Sequence, residues 1–372
     1  MSKDAIYMDY AATTPMDNRV LEAMLPFFTQ QFGNASSKHS YGREASNAVE
    51  NAENVISTLL NANQVIFTSG ATEAINLAIK GVCEANFDKG NHIITVSTEH
   101  KAVLDTCNYL EGIGAEITYL SVNNEGFINL EELENSIRAD SVLVCVMYAN
   151  NETGIIQPID KIGEICKKKN VLFMTDATQA VGKVPIDMEA QNIDLLCFSG
   201  HKIYGPKGIG TLCMNDKTKL NSQIHGGNHQ KGHRAGTLDV PSIVGMGKAC
   251  EIANSEMNTE AKRMQDLGLY FKTKLREFSN VKINSSSENS LPNIINVQFQ
   301  NQDAEVLMEK MGELAISSGS ACTSALVQPS HVLKSMGLSD ESANSSLRFS
   351  IGRFMTKNEV DVAMTILSRF CS

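Results

Sequence analysis

A lysine set directly behind a run of buried-type residues is the first chemically suggestive feature of this 372-residue chain. Lys202 closes the string Ser199-Gly200-His201-Lys202 and precedes a Gly/Pro-rich turn that runs to Gly210. Partial burial there lowers an ammonium's pKa and frees the amine as a nucleophile for carbonyl chemistry. A lone lysine in such a turn is more often solvated, so its neighbours decide the reading. Ser69-Gly70-Ala71-Thr72-Glu73 opens a helix right after an apolar run. Small residues at that point let backbone N–H groups approach an anion, although an ordinary Ser/Thr helix cap accounts for the string equally well. Asp176 and Gln179 follow another apolar run, and His100 follows a third. A carboxylate suits charge pairing with a ligand cation, or simply an N-cap. An imidazole moves protons near pH 7.

Cysteine supplies the other candidate nucleophile. Nine cysteines stand at positions 83, 107, 145, 166, 197, 213, 250, 322 and 371, with no CxxC pair. Dispersed cysteines in a chain of this size read as reduced thiols, each by default a small buried hydrophobe. Cys322 differs, because it sits in Ser317-Ser318-Gly319-Ser320-Ala321-Cys322-Thr323-Ser324, a run of small residues with no apolar pattern. A loop of that composition suits a thiol that attacks one partner and presents its product to another.

These residues need a scaffold, and the hydrophobic pattern describes one. Apolar runs at 64–68, 92–96, 116–120, 142–148, 171–175 and 195–198 read as strands. Between them, 45–60, 71–85, 130–139 and 159–169 carry helical spacing. Such alternation implies βαβ crossovers and a mainly parallel sheet covered on both faces. The pattern changes near residue 260. A polar-faced helix over 258–278, a Ser/Asn-rich segment at 284–290, a strand over 294–299, a helix over 304–311, a Gly/Ser loop and a last helix over 357–370 read as a smaller α+β unit. The expected division is a large domain of residues 15–258 and a small domain of residues 1–14 with 259–372.

Composition narrows the function classes. With 42% hydrophobic and 20% charged residues, the chain has the balance of a soluble globular protein. A net charge of -10 argues against direct nucleic-acid binding. No run approaches the roughly 20 apolar residues needed to span a bilayer. The N-terminus has neither signal-peptide nor transit-peptide character, so a cytoplasmic location is expected. No GxGxxG follows an early strand, which sets aside a nicotinamide enzyme. No His/Cys/Asp cluster has ligand spacing, which sets aside a metal hydrolase.

Taken in order, the strings resemble the class V aminotransferase family, and within it the group I cysteine desulfurases of the NifS/IscS type. They include Asp9-Tyr10-Ala11-Ala12-Thr13-Thr14-Pro15, Phe32-Gly33-Asn34, Thr98-Glu99-His100-Lys101, Asn150-Asn151-Glu152, Arg234-Ala235-Gly236-Thr237 and Ser346-Leu347-Arg348-Phe349-Ser350, besides those above. The resemblance spans nearly the whole chain. It implies the pyridoxal-phosphate transferase fold type I, with a mainly parallel seven-stranded sheet and a smaller α+β C-terminal domain.

It also implies roles. Lys202 would hold pyridoxal phosphate and shuttle the substrate α-proton, Asp176 would face the pyridine nitrogen, and Gln179 the ring hydroxyl. His100 would stack on the ring. Ala71, Thr72, Ser199 and His201 would bind the phosphate, with Thr237 reaching in from the other subunit of a homodimer. Asn34, Asn151 and Arg348 would meet the substrate L-cysteine, and Cys322 would take its sulfur as a persulfide. The sulfur would pass to an acceptor protein such as an iron–sulfur scaffold or a tRNA-thiolation protein. Departures from the family pattern at Ala35, Asn228 and Gln230 remove no group with an implied role. Selenocysteine lyase, transaminase or another class V reaction stays open as the alternative within enzymes. A degenerate binding platform is the alternative outside them, although Lys202, Asp176, His100 and Cys322 are all present.

Overall fold

The structure, a computed structural model, describes residues 5–285, 288–318 and 328–371. A short strand β1 (Ile6–Tyr7) precedes seven strands of one sheet. These are β2 (Gln64–Thr68), β3 (His92–Val96), β4 (Glu116–Leu120), β5 (Ser141–Cys145), β6 (Leu172–Asp176), β7 (Leu195–Ser199) and β8 (Gly210–Met214). Their order is β2-β8-β7-β6-β5-β3-β4, with β8 antiparallel to both neighbours and the other pairs parallel. β8 was not legible as a strand, because it emerges directly from the glycine-rich turn after Lys202.

Period-two alternation explains how the sheet is covered on both sides. Val144, Phe173, Leu196 and Phe198 enter one core with the helices Ser40–Leu60 and Ile159–Lys169. Their sequence neighbours Leu143, Cys145, Met174, Leu195 and Cys197 enter the other, with the helices Ala71–Ala85 and Lys101–Glu111. Each fully buried aliphatic or aromatic side chain stabilises the layer by about 1.5–3 kcal/mol. The expected bounds of β2, β3, β4 and the helices Ala71–Ala85 and Ile159–Lys169 are those observed. The strand expected over 142–148 ends its regular pairing at Cys145. The N–H groups of Val146 and Tyr148 still donate to the carbonyls of Met174 and Asp176, at 3.1 and 2.9 Å.

The helix expected over 258–278 is longer and starts earlier, at Val240–Leu275. It buries Ile243, Met246, Ala249 and Cys250 against the large sheet's core, then Leu267, Phe271 and Leu275 against a separate core. Its apolar stripe changes partner halfway along, so the polar stretch between reads in sequence as a break. Gly247 lets it approach the helix Ser40–Leu60, since a Cβ there would lie 2.7 Å from the Ala52 Cβ.

The second core lies over a three-stranded antiparallel sheet of β9 (Val281–Ile283), β10 (Ile294–Phe299) and β12 (Ser346–Ser350), in the order β12-β10-β9. β11 (Leu314–Ala315) pairs in parallel with β1, which ties the N-terminal segment to this half. No described helix is long and apolar enough to cross a membrane.

Candidate active site

A cavity of about 770 Å³ opens at the carboxyl ends of β2, β3, β5, β6 and β7, the edge where open α/β sheets bind ligands. Lys202 lies on its wall at the end of a one-turn helix, Gly200–Lys202, that follows β7. The Nζ donates to the carbonyls of Ala11 and Ala12, at 2.7 and 2.6 Å. Burial, reinforced by the Arg348 charge, lowers its pKa to about 8, against the pull of Asp9 and Asp176. The turn that follows is strained, since Tyr204 has φ +63°. Arg353 stacking at 4.3 Å and the Thr14 hydroxyl, which accepts the Tyr204 N–H at 2.9 Å, hold it there.

The anion cradle also forms. Helix Ala71–Ala85 starts at Gly70 with no side-chain cap, so its first N–H groups are left for a ligand at the cavity wall. Gly210 makes the close approach possible, because a Cβ on it would sit 2.3 Å from the Gly70 carbonyl carbon. Ala71 and Thr72 line the same wall, and so do Ser199 and His201. The Ser199 hydroxyl donates to the Ile209 carbonyl at 3.2 Å. His201 Nδ1 meets Thr13 Oγ1 at 3.1 Å. Burial, with Lys202 and Lys207, lowers the His201 pKa to about 4, so that ring is neutral at physiological pH.

Asp176 ends β6, is buried at the cavity, and accepts the Thr178 N–H at 2.9 Å. Gln179 donates from Nε2 to the Ala11 carbonyl at 2.9 Å. His100 caps helix Lys101–Glu111 by accepting the Ala102 N–H on Nδ1 at 3.1 Å, which leaves Nε2 as the protonated nitrogen of the neutral ring. The ring faces the open cavity, yet protein surrounds its other sides. That burial lowers its pKa, with Lys202 adding to the effect and Asp176 opposing it.

Arg348 reaches the cavity from β12, 4% exposed. It donates to Asp9 Oδ1 at 2.7 Å and to the Asn151 carbonyl at 2.9 Å, and its Nε–H has no partner among the described residues. Arg348 lines the cavity, and a planar guanidinium fork suits a ligand carboxylate. The pairing with Asp9 was not legible, since 339 positions separate the two residues. Glu99 was also missed. It is fully buried, accepts the Met147 N–H at 2.6 Å, and has its carboxyl pushed well above the usual range by burial.

Two expected site residues do not reach the cavity of this single chain. Asn34 is exposed, its side chain accepting the Ser36 N–H at 2.9 Å, and Thr237 is exposed as well. Cys322 lies outside the described residues. Ser317 and Ser318, just ahead of it in sequence, line the cavity, and Ser317 pairs by backbone with Arg348.

A cation-paired carboxylate site, a cradle for an anion, an amine near pKa 8 and a buried acid therefore share one cavity. They fit a cofactor with a phosphate, an aldehyde and a ring nitrogen. The family profile described as aminotransferase class-V matches residues 6–362. A cysteine desulfurase IscS of Pectobacterium carotovorum subsp. carotovorum is 49% identical over 98% of this chain and 92% of its own length. Among solved structures, a NifS-like protein superposes with a TM-score of 0.93 at 36% identity, covering 98% of this chain and 99% of that one. A protein called SspA, solved in complex with cysteine, superposes with a TM-score of 0.85 at 38% identity, over 94% of this chain and 99% of that one.

Proposed function

The chain belongs to the aminotransferase class-V family, and from that premise we propose that it removes sulfur from L-cysteine onto Cys322 and releases L-alanine. It is a pyridoxal-phosphate-dependent cysteine desulfurase of the NifS/IscS type. The observation that carries this reading is the meeting of Lys202, Asp176 and Arg348 in one cavity, with Ser317 and Ser318, which precede Cys322 in sequence, on its wall.

Pyridoxal phosphate supplies the electron sink that activates the substrate's α-carbon. The uncapped turn at Ala71 and Thr72, with Ser199 and His201, would hold the phosphate. Asp176 would keep a proton on the ring nitrogen, Gln179 would face the ring hydroxyl, and His100 would lie against the ring. Lys202, lowered to about 8, is a competent base as well as the anchoring amine. Arg348 and Asn151 would orient the L-cysteine carboxylate. Cys322 attacks the substrate sulfur as thiolate. The C–S bond breaks as the S–S bond forms, so alanine and a persulfide result with no outside oxidant.

The homodimer belongs to this proposal. Asn34 is flanked by exposed Phe28, Phe32 and Tyr41, an apolar surface suited to a second copy, and exposed Thr237 would complete the partner's phosphate site. Residues 15–258 would hold the cofactor, while 1–14 with 259–372 would carry Arg348 and Cys322. The eight described cysteines are all unpaired, which supports a reducing, cytoplasmic setting. The persulfide sulfur would go to an acceptor protein of iron–sulfur assembly or tRNA thiolation.

Incubation of the cofactor-loaded protein with L-cysteine and a thiol reductant yields alanine and sulfide in equal amounts. A protein that holds pyridoxal phosphate but forms no alanine would leave a transaminase or another class V lyase as the better reading. Arg348→Lys keeps the charge but loses the planar fork. Charge-assisted hydrogen bonds contribute about 1.5–3 kcal/mol each, so KM for L-cysteine rises roughly 10- to 100-fold, with the cofactor's visible band unchanged. An unaltered KM would remove Arg348 from the substrate carboxylate.

A further inference from the structure

We propose that Lys183 is a positioning residue that fixes which way the Gln179 side-chain amide faces, and through it the hydrogen bond offered to the cofactor's ring hydroxyl. The inference rests on the reading of Gln179 as the partner of that hydroxyl.

An amide's two ends are nearly alike in shape, so only its partners decide which one faces a ligand. Lys183 Nζ lies 2.8 Å from the Gln179 backbone carbonyl and 3.3 Å from its Oε1. In its protonated form Lys183 has donors only, which favours the oxygen end of the amide facing it. The nitrogen end is then turned the other way, where Nε2 donates one proton to the Ala11 carbonyl at 2.9 Å. Its second proton is left for the cavity that Gln179 lines. The same Ala11 carbonyl accepts Lys202 Nζ at 2.7 Å. Lys183, Gln179, Ala11 and Lys202 thus form one chain of donors and acceptors ending at the anchoring amine.

Local backbone geometry delivers Lys183 to this place. Gly182 has φ +73°, a left-handed step that turns the chain after Val181. A Cβ on it would press the Ala253 Cβ at 3.0 Å. Lys183 makes no ion pair among the described residues, and Lys202 is the charged group that acts on it. Burial, with that charge, lowers its pKa to about 7.

The test uses the cofactor-loaded enzyme with K183M, K183R, Q179M and the K183M/Q179M double variant, reading the pH midpoint of the visible band alongside KM and kcat. The aimed Gln179 N–H favours the anionic ring oxygen, and Lys183 acts on it only by holding that aim. K183M therefore moves the midpoint upward by about half a unit or more, and K183R restores most of it. Q179M moves it at least as far by itself, and adding K183M to Q179M changes it no further. A K183M midpoint equal to wild type, with only a lower Tm, would overturn the proposal. So would a K183M shift of the same size in the Q179M background. Should K183M not fold, an unshifted midpoint in Q179M overturns it alone. Wild-type protein that binds no pyridoxal phosphate would instead bring down the cofactor reading, and this proposal with it.

Discussion

Cys322→Ala lowers alanine formation by roughly 10³-fold or more, while the protein keeps its cofactor band and its Tm. The expectation follows from the other eight cysteines. Seven are buried, and Cys371 is partly buried. Burial raises every one of their pKa values, to about 12 for Cys107 and about 11 for Cys371, and well above the ordinary value for Cys145, Cys197 and Cys213. The remaining three, Cys83, Cys166 and Cys250, are raised for the same reason. Only the thiolate attacks sulfur, and at pH 7 a thiol near 11 is ionised to roughly one part in 10⁴. Cys322 is the cysteine left, in a Ser/Gly-rich stretch of sequence four positions after Ser318, which lines the cavity. Steady-state alanine assays on the variant check this. Retention of half the wild-type rate would show that another thiol does the work.

Lys202→Ala removes both covalent cofactor retention and catalysis, with activity down by about 10³-fold or more. The Nζ is held by the Ala11 and Ala12 carbonyls, and its pKa of about 8 leaves a useful fraction of free amine near neutral pH. The sign is set by burial and Arg348, which disfavour the ammonium. Loading of cofactor-free wild type therefore accelerates as pH rises and levels off above about 8, well below the 10.5 of an exposed lysine. Lys202→Arg fails as fully as alanine, because a guanidinium does not give up its proton. The visible band after dialysis and the pH dependence of loading are the measurements. An arginine variant that keeps the band would exclude Lys202 as the anchor.

The parts of this site that could be read in sequence are those set by local chemistry. β2 and helix Ala71–Ala85 are bounded by Ser69 and Gly70, and both bounds appear in the apolar pattern and the small residues themselves. Asp176 ends a strand, and Lys202 and His100 each come just after one, so a mainly parallel sheet gathers them at one edge. What escaped sequence reading depends on distant partners. Arg348 meets Asp9 across most of the chain, and helix Val240–Leu275 serves two cores whose sheets are far apart in sequence. Lys183 carries no signal of its own in sequence, because it is the left-handed step at Gly182 that turns it onto Gln179. Asn34 and Thr237 point to surfaces that one chain leaves uncovered.

The central claim is that sulfur from L-cysteine comes to rest on Cys322. The most direct measurement is mass spectrometry of the cofactor-loaded protein after brief exposure to L-cysteine without reductant, read peptide by peptide and beside Cys322→Ala. One added sulfur on the Cys322 peptide, matched by one alanine per chain and absent from the variant, is the predicted result. Alanine formed with the added sulfur on a different cysteine, or with none on Cys322, would contradict it.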